Sequence, residues 1–167
     1  MTSRPSDDGP ADWIGLLYDQ HADALHRYAV MILADSAAAS DAVHSVFLAI
    51  AGQPAGHIRS VERYLRRALR NECYSTLRRR RRESPTEVGP LLETLAGIAE
   101  RPDERLALEA ALRMLPAEQR EVLHLKMFDG LTFQEIADQL GASINTVASR
   151  YRYAIEKLRE RLGTRRN

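Results

Sequence analysis

With 167 residues, 44% of them apolar, the chain has room for one ordinary domain or two small ones. Its single cysteine, Cys73, excludes an intrachain disulfide, and a lone thiol suits a reducing compartment. The net charge of +1 conceals strong segregation: residues 59–82 carry 10 basic and 2 acidic side chains and residues 144–167 carry 7 and 2, whereas residues 1–58 and 83–104 are each net −5.

Two basic islands, each at the end of a helical block, suit two separate footprints on a polyanion. The plainer reading is that Arg-rich helices are simply well solvated. The opening residues MTSRPSDDGPADW hold no apolar stretch of the signal-peptide kind. No apolar run approaches the roughly 20 residues that span a bilayer. A soluble, cytoplasmic protein without membrane insertion is expected.

Long Ala/Leu/Arg/Glu stretches with few β-branched runs predict an all-α chain. From Asp12 to Leu33, Ile14, Leu17, His21, Leu25, Tyr28 and Ile32 recur at helical spacing. Asp35 and Ser36 stop that helix and start another, whose inner face reads Ala42, Val43, Val46, Phe47 and Ile50. The Gly/Pro break AGQPAG, Ala51 to Gly56, ends it. Ser60 is placed to cap a third helix with Val61, Tyr64 or Leu65, Ala68 or Leu69, Cys73 and Leu77 inward, running into five consecutive arginines, Arg78–Arg82. The three helices predict a small bundle over residues 10–82.

Residues 83–103 contain Pro85, Gly89, Pro90 and Pro102 and read as a flexible linker, with Leu91, Leu92, Leu95 and Ile98 marking a short helical turn inside it. A second helical domain is expected over 104–167. Its first helix, RLALEAALRML, runs to Leu115, Pro116 opens the next, and Asp129-Gly130 closes that one. Glu118 and Glu121 sit where acids complement a helix N-terminus.

The stretch LTFQEIADQLGASINTVASRYRYAIEKL then restarts a helix after only GAS. Thr132 and Glu135 form a capping box. Gly141 permits the left-handed stop, and Ser143 can cap the second helix. Ala137, Gly141 and Val147 supply a small residue for close crossing, a sharp turn and an aliphatic pin, which together predict a helix-turn-helix. In that geometry Ser143, Asn145, Thr146, Ala148, Ser149, Arg150, Arg152 and Tyr153 face duplex DNA. An ordinary αα-hairpin with a polar outer face is the alternative.

These residues, with most of the chain, resemble a bacterial RNA polymerase sigma factor of the extracytoplasmic-function (ECF) type. The segment from Leu112 to Leu162 is similar to the family's region four, and the resemblance implies binding of the minus-35 element and the polymerase flap. The segments LYDQHADALHRYAVMILADSAAASDAVHSVFLAI and YLRRALRNECYSTLRRRRR resemble region two. They imply capture and melting of the minus-10 element by Arg63, Tyr64, Arg67, Arg70, Asn71, Tyr74 and the run Arg78, Arg79, Arg80, Arg81 and Arg82. Tyr64 and Tyr74 are placed to stack on unpaired bases; Tyr64 fits a core position equally well, and Tyr74 is expected to be the more exposed. The resemblance also implies a clamp-docking helix at Asp41, His44, Ser45 and Phe47, where DAVHSVF replaces the usual D-x-V-Q-E-x-F, with His44 and Ser45 for Gln and the acid.

The implied partners are core RNA polymerase, promoter DNA and an anti-sigma factor. Two rivals remain: a helix-turn-helix regulator that works without core polymerase, and a sigma-like decoy. Enzymatic chemistry finds no support. The five His lack metal spacing with each other or with Cys73, and no phosphate-binding Gly loop or nucleophile elbow occurs. No catalytic residue, metal or cofactor is expected.

Overall fold

A computed structural model describes residues 10–53, 60–83 and 101–163. Seven helices and no strands occur among them: α1 (Pro10–Leu33), α2 (Ser36–Ala51), α3 (Val61–Arg82), α4 (Pro102–Arg113), α5 (Ala117–Met127), α6 (Phe133–Leu140) and α7 (Ile144–Gly163). The expected turn around Leu91–Ile98 and the second half of the AGQPAG break lie outside the described residues.

The first three helices pack on one another. Ala34, at φ 54°, reverses the chain after α1, and Asp35 caps α2 by accepting from the Ala38 N–H at 3.1 Å. The inward face of α2 buries Ala42, Val43, Val46, Phe47 and Ile50, and that of α3 buries Leu65, Leu69 and Cys73. Ser60 stands at the N-cap position of α3, but its side chain makes no capping hydrogen bond. Among the C-terminal helices, α4, α5 and α6 gather around α7. α4 stops at Arg113, two residues before the expected end, because the residue ahead of Pro116 is forced out of helical geometry.

The two sets of helices are not separate globules: α5 lies directly against α1. In α1 every residue from Tyr28 to Leu33 is buried, and in α5 every residue from Arg120 to Leu125 is buried. A helix in solvent buries one stripe; a segment buried all round has neighbours on every side. For α1 the additional neighbour is α5, and the buried side chains of both units form one continuous cluster.

Candidate nucleic-acid interface

The helix-turn-helix is built from α6 and α7. Thr132 Oγ1 accepts from the Glu135 N–H (3.2 Å) while a Glu135 carboxylate oxygen accepts from the Thr132 N–H (2.7 Å), so two end donors are satisfied reciprocally. These bonds hold the Glu135 carboxyl below the ordinary carboxylate range. Gly141 takes φ 63°, ψ 34° and ends α6. Ser143 Oγ accepts from the Thr146 N–H at 3.1 Å and also bonds the Thr146 hydroxyl at 2.8 Å, capping α7. Val147 and Ala154 are fully buried, and Tyr151 packs on Phe133 at 5.5 Å.

That anchoring turns the other side of α7 outward. Ser143, Asn145, Thr146, Arg152 and Tyr153 are exposed, and Ala148, Ser149 and Arg150 are half-exposed. The Arg152 guanidinium lies 5.1 Å from the centre of the Tyr153 ring. None of the eight side chains is buried.

The residues expected at the minus-10 element divide. Arg63, Arg67, Asn71, Arg78, Arg79, Arg81 and Arg82 are exposed along α3. Tyr64 is half-buried, its hydroxyl accepting from Gln53 Nε2 at 2.9 Å. Arg80 donates to Asp35 at 2.6 Å, so it also fastens α3 to the start of α2. Tyr74, expected to be exposed, is half-buried, and its hydroxyl donates to Glu121 at 2.7 Å.

Glu121 differs most from its sequence-based expectation. Expected to complement a helix N-terminus, it lies beyond the first turn of α5, 0% exposed. It accepts from Tyr28 Oη (2.6 Å), from Arg70 Nε (2.6 Å) and Nη2 (3.2 Å), and from Tyr74 Oη. Every donor comes from α1 or α3. Burial opposes the Arg70 charge, but the hydrogen bonds and charge of Glu121 more than offset it and raise the guanidinium pKa. Burial first, and Glu121 second, push both tyrosine hydroxyls well above their ordinary value.

Two further ties flank this carboxylate. Arg66 pairs with Asp129. Arg120, on α5, donates to the carbonyls of Met31 and Ile32 (2.6 Å each) and to that of Leu115. The first two belong to the last turn of α1, whose carbonyls have no helical partner. Burial lowers the Arg120 pKa to about 10. Beside these ties a cleft of about 1050 Å³ opens between α3 and α6, with Arg63, Arg66 and Arg67 on one wall and Glu135 and Asp138 on the other.

On α2, Asp41, His44 and Ser45 are exposed on one face, joined by Leu48 at 62% exposure, an apolar residue off the inward pattern. Phe47, expected on that docking face, is instead in the core, edge-on to Tyr18 at 5.0 Å; its spacing from Val43 and Ile50 turns it inward. No group of three His, Cys, Asp or Glu among the described residues is arranged to hold a metal. No helix among them is long and apolar enough to cross a membrane.

Comparison with known proteins agrees with this architecture. Residues 17–83 match the family described as Sigma-70 region 2, and residues 105–158 match Sigma-70, region 4. The chain is 32% identical over 152 residues to the ECF RNA polymerase sigma factor SigL of Mycobacterium tuberculosis, covering 86% of this chain and 85% of that protein. It is 28% identical over 165 residues to the ECF RNA polymerase sigma factor SigK of Mycolicibacterium vanbaalenii, covering 92% and 83%. In fold it resembles the sigma factor RpoE of Bartonella quintana, solved with the anti-sigma factor NepR, at a TM-score of 0.68 and 24% identity over 91% of this chain and 98% of that one. With a capped helix-turn-helix behind a bundle that ends in a basic helix, and with this degree of identity along most of its length, the chain belongs to the ECF family of RNA polymerase sigma factors.

Proposed function

We propose that the sigma factor divides promoter recognition between two units, residues 10–82 and 104–167, joined by 83–103. The C-terminal unit reads minus-35 duplex with the outer face of α7; the N-terminal unit holds unpaired minus-10 bases along α3. The observation that carries this reading is the doubly capped α6–α7 turn, which fixes α7 with Asn145, Thr146 and Arg152 outward.

Asn and Arg in that position pair with base edges, and the exposed arginines of α3 supply sequence-blind attraction to phosphate. Favouring flipped-out bases over paired ones shifts the duplex toward the melted state. The work is binding, without catalysis or cofactor. It takes place on the chromosome in the cytoplasm, with core RNA polymerase docking in part on Asp41, His44, Ser45 and Leu48. An anti-sigma factor, as the Bartonella protein has, is a further partner.

Transcription by purified core enzyme from a promoter library tests the assignment. Asn145→Ala or Arg150→Ala is expected to relax base choice at one or two upstream positions by about 1–3 kcal/mol. Equal weakening on every upstream sequence would reduce these residues to phosphate contacts. Absence of any association with core enzyme would end the reading.

A further inference from the structure

A side-chain tie spans the junction of α2 and α3. Gln53 follows the end of α2, and its N–H donates to the carbonyl of the fully buried Ile50 at 3.0 Å. Tyr64 stands in the first turn of α3, and its N–H donates to the Ser60 carbonyl at 3.0 Å. Each backbone is thus anchored in its own helix. Between them, Gln53 Nε2 donates to the Tyr64 hydroxyl at 2.9 Å. We propose that Gln53 is a positioning residue for base capture, fixing the Tyr64 ring as the platform on which an unpaired minus-10 base stacks. The inference rests on the reading of α3 as a nucleic-acid surface.

Of the two tyrosines assigned to unpaired bases, Tyr64 has the more available ring. The Tyr74 ring lies under the Arg70 guanidinium, 4.7 Å from its centre. Among the described residues, no guanidinium or second ring covers Tyr64. Tyr64 is half-buried and packs against the buried cluster, so part of the ring is held and part is accessible. Arg67, three residues on, is its neighbour along the helix surface, and both Arg67 and Arg63 are exposed. A base laid on the ring therefore has cations near its flanking phosphates.

The bond at the hydroxyl matters through entropy. A free tyrosine turns about its side-chain torsions, and stacking a base on it costs that freedom. Packing restrains one part of the ring, and Gln53 restrains the hydroxyl end before DNA arrives. The tie adds no contact to the base; it lowers the cost of ordering the surface that receives it. A purely structural role suits it less well. Gln53 is exposed, and surface substitutions of that kind change folding stability little.

The test uses the full chain bound to core polymerase. The probe is a fork-junction promoter drawn from the promoter library, its minus-10 stretch single-stranded. A fluorescent purine analogue, whose emission falls when it stacks, replaces each base of that stretch in turn. Gln53→Ala and Tyr64→Phe both remove the tie and keep the ring. Each is expected to weaken probe binding by about two- to tenfold. Each should also leave one analogue position brighter at saturating protein, with minus-35 duplex binding and the urea midpoint unchanged. The double variant should be no worse than either single one, because both changes remove the same bond.

Additive losses, or emission at saturation equal to that of the wild type, overturn the positioning role. Tyr64→Ala reports on the underlying reading by itself. It should weaken probe binding by about tenfold or more. If it leaves binding unchanged, Tyr64 holds no base and that assignment fails whatever Gln53 does. If it weakens binding while Gln53→Ala does not, the platform stands and only the role of Gln53 is lost.

Discussion

Lowering the pH from 7 to 5 is expected to remove about 2 kcal/mol of folding stability through His124 alone. This imidazole is 3% exposed, stacked on Phe128 at 5.2 Å and tilted against Tyr28 of α1 at 5.4 Å. Burial is the main reason its pKa falls from the ordinary 6.5 to about 4. Asp129, with an oxygen 3.6 Å from Nε2, works against that shift, and Arg66 of α3 and Arg27 of α1 add to it. The sign follows from linkage. Between pH 6.5 and 4 the unfolded chain binds a proton that the folded chain refuses, so stability is complete above that window and falls as pH drops through it. The full loss, reached below pH 4, is about 3 kcal/mol. Urea unfolding of the wild type and His124→Gln at pH 7 and pH 5 isolates the effect, because other carboxylates titrate equally in both chains. If the two chains lose the same stability, or if the imidazole titrates near 6.5 in the folded protein, the burial argument is wrong.

Gly141→Ala should destabilise by about 1–2 kcal/mol in urea unfolding, the cost of left-handed backbone alone, since a Cβ there meets nothing within 4 Å; Gly141→Asn should cost less, and equal losses would show that backbone strain is not the cause. Replacing Arg78–Arg82 by Gln should flatten the salt dependence of single-stranded DNA binding by about 0.7 in log–log slope for each phosphate no longer neutralised. Arg80, already held by Asp35, is expected to count least among them, and an unchanged slope would remove the whole run from the interface.

The helix-turn-helix is legible in the sequence because its signals are local. Thr132 and Glu135 are three residues apart, Gly141 marks its own turn, and Ser143 caps the helix beginning at the next residue. The bundle of α1–α3 is legible for the same reason, through spacing along each helix. Tyr74 and Glu121 depart from expectation because their environment is set 47 residues away along the chain, across an interface that neither helix's own pattern declares. For Phe47 the family motif points to the surface, although its own helical spacing points inward.

A signal for the packing of one unit on the other is nevertheless present. YAVMILA, residues 28–34, is apolar on every side of a helix, and REVLHL, residues 120–125, interrupts aliphatic residues with three that can charge. One partner face accounts for half of the first segment; the other half requires a second neighbour. The second segment supplies it and brings Arg120, Glu121 and His124 into the seam. Aliphatic residues at those three positions would make the seam a permanent core. Arg120 instead takes the unpaired carbonyls at the end of α1, and Glu121 takes the cations of α3. These polar ties satisfy groups that a purely aliphatic seam would leave buried without partners. The N-terminal basic island is therefore partly neutralised by acids from the unit that follows it, Arg70 by Glu121 and Arg66 by Asp129.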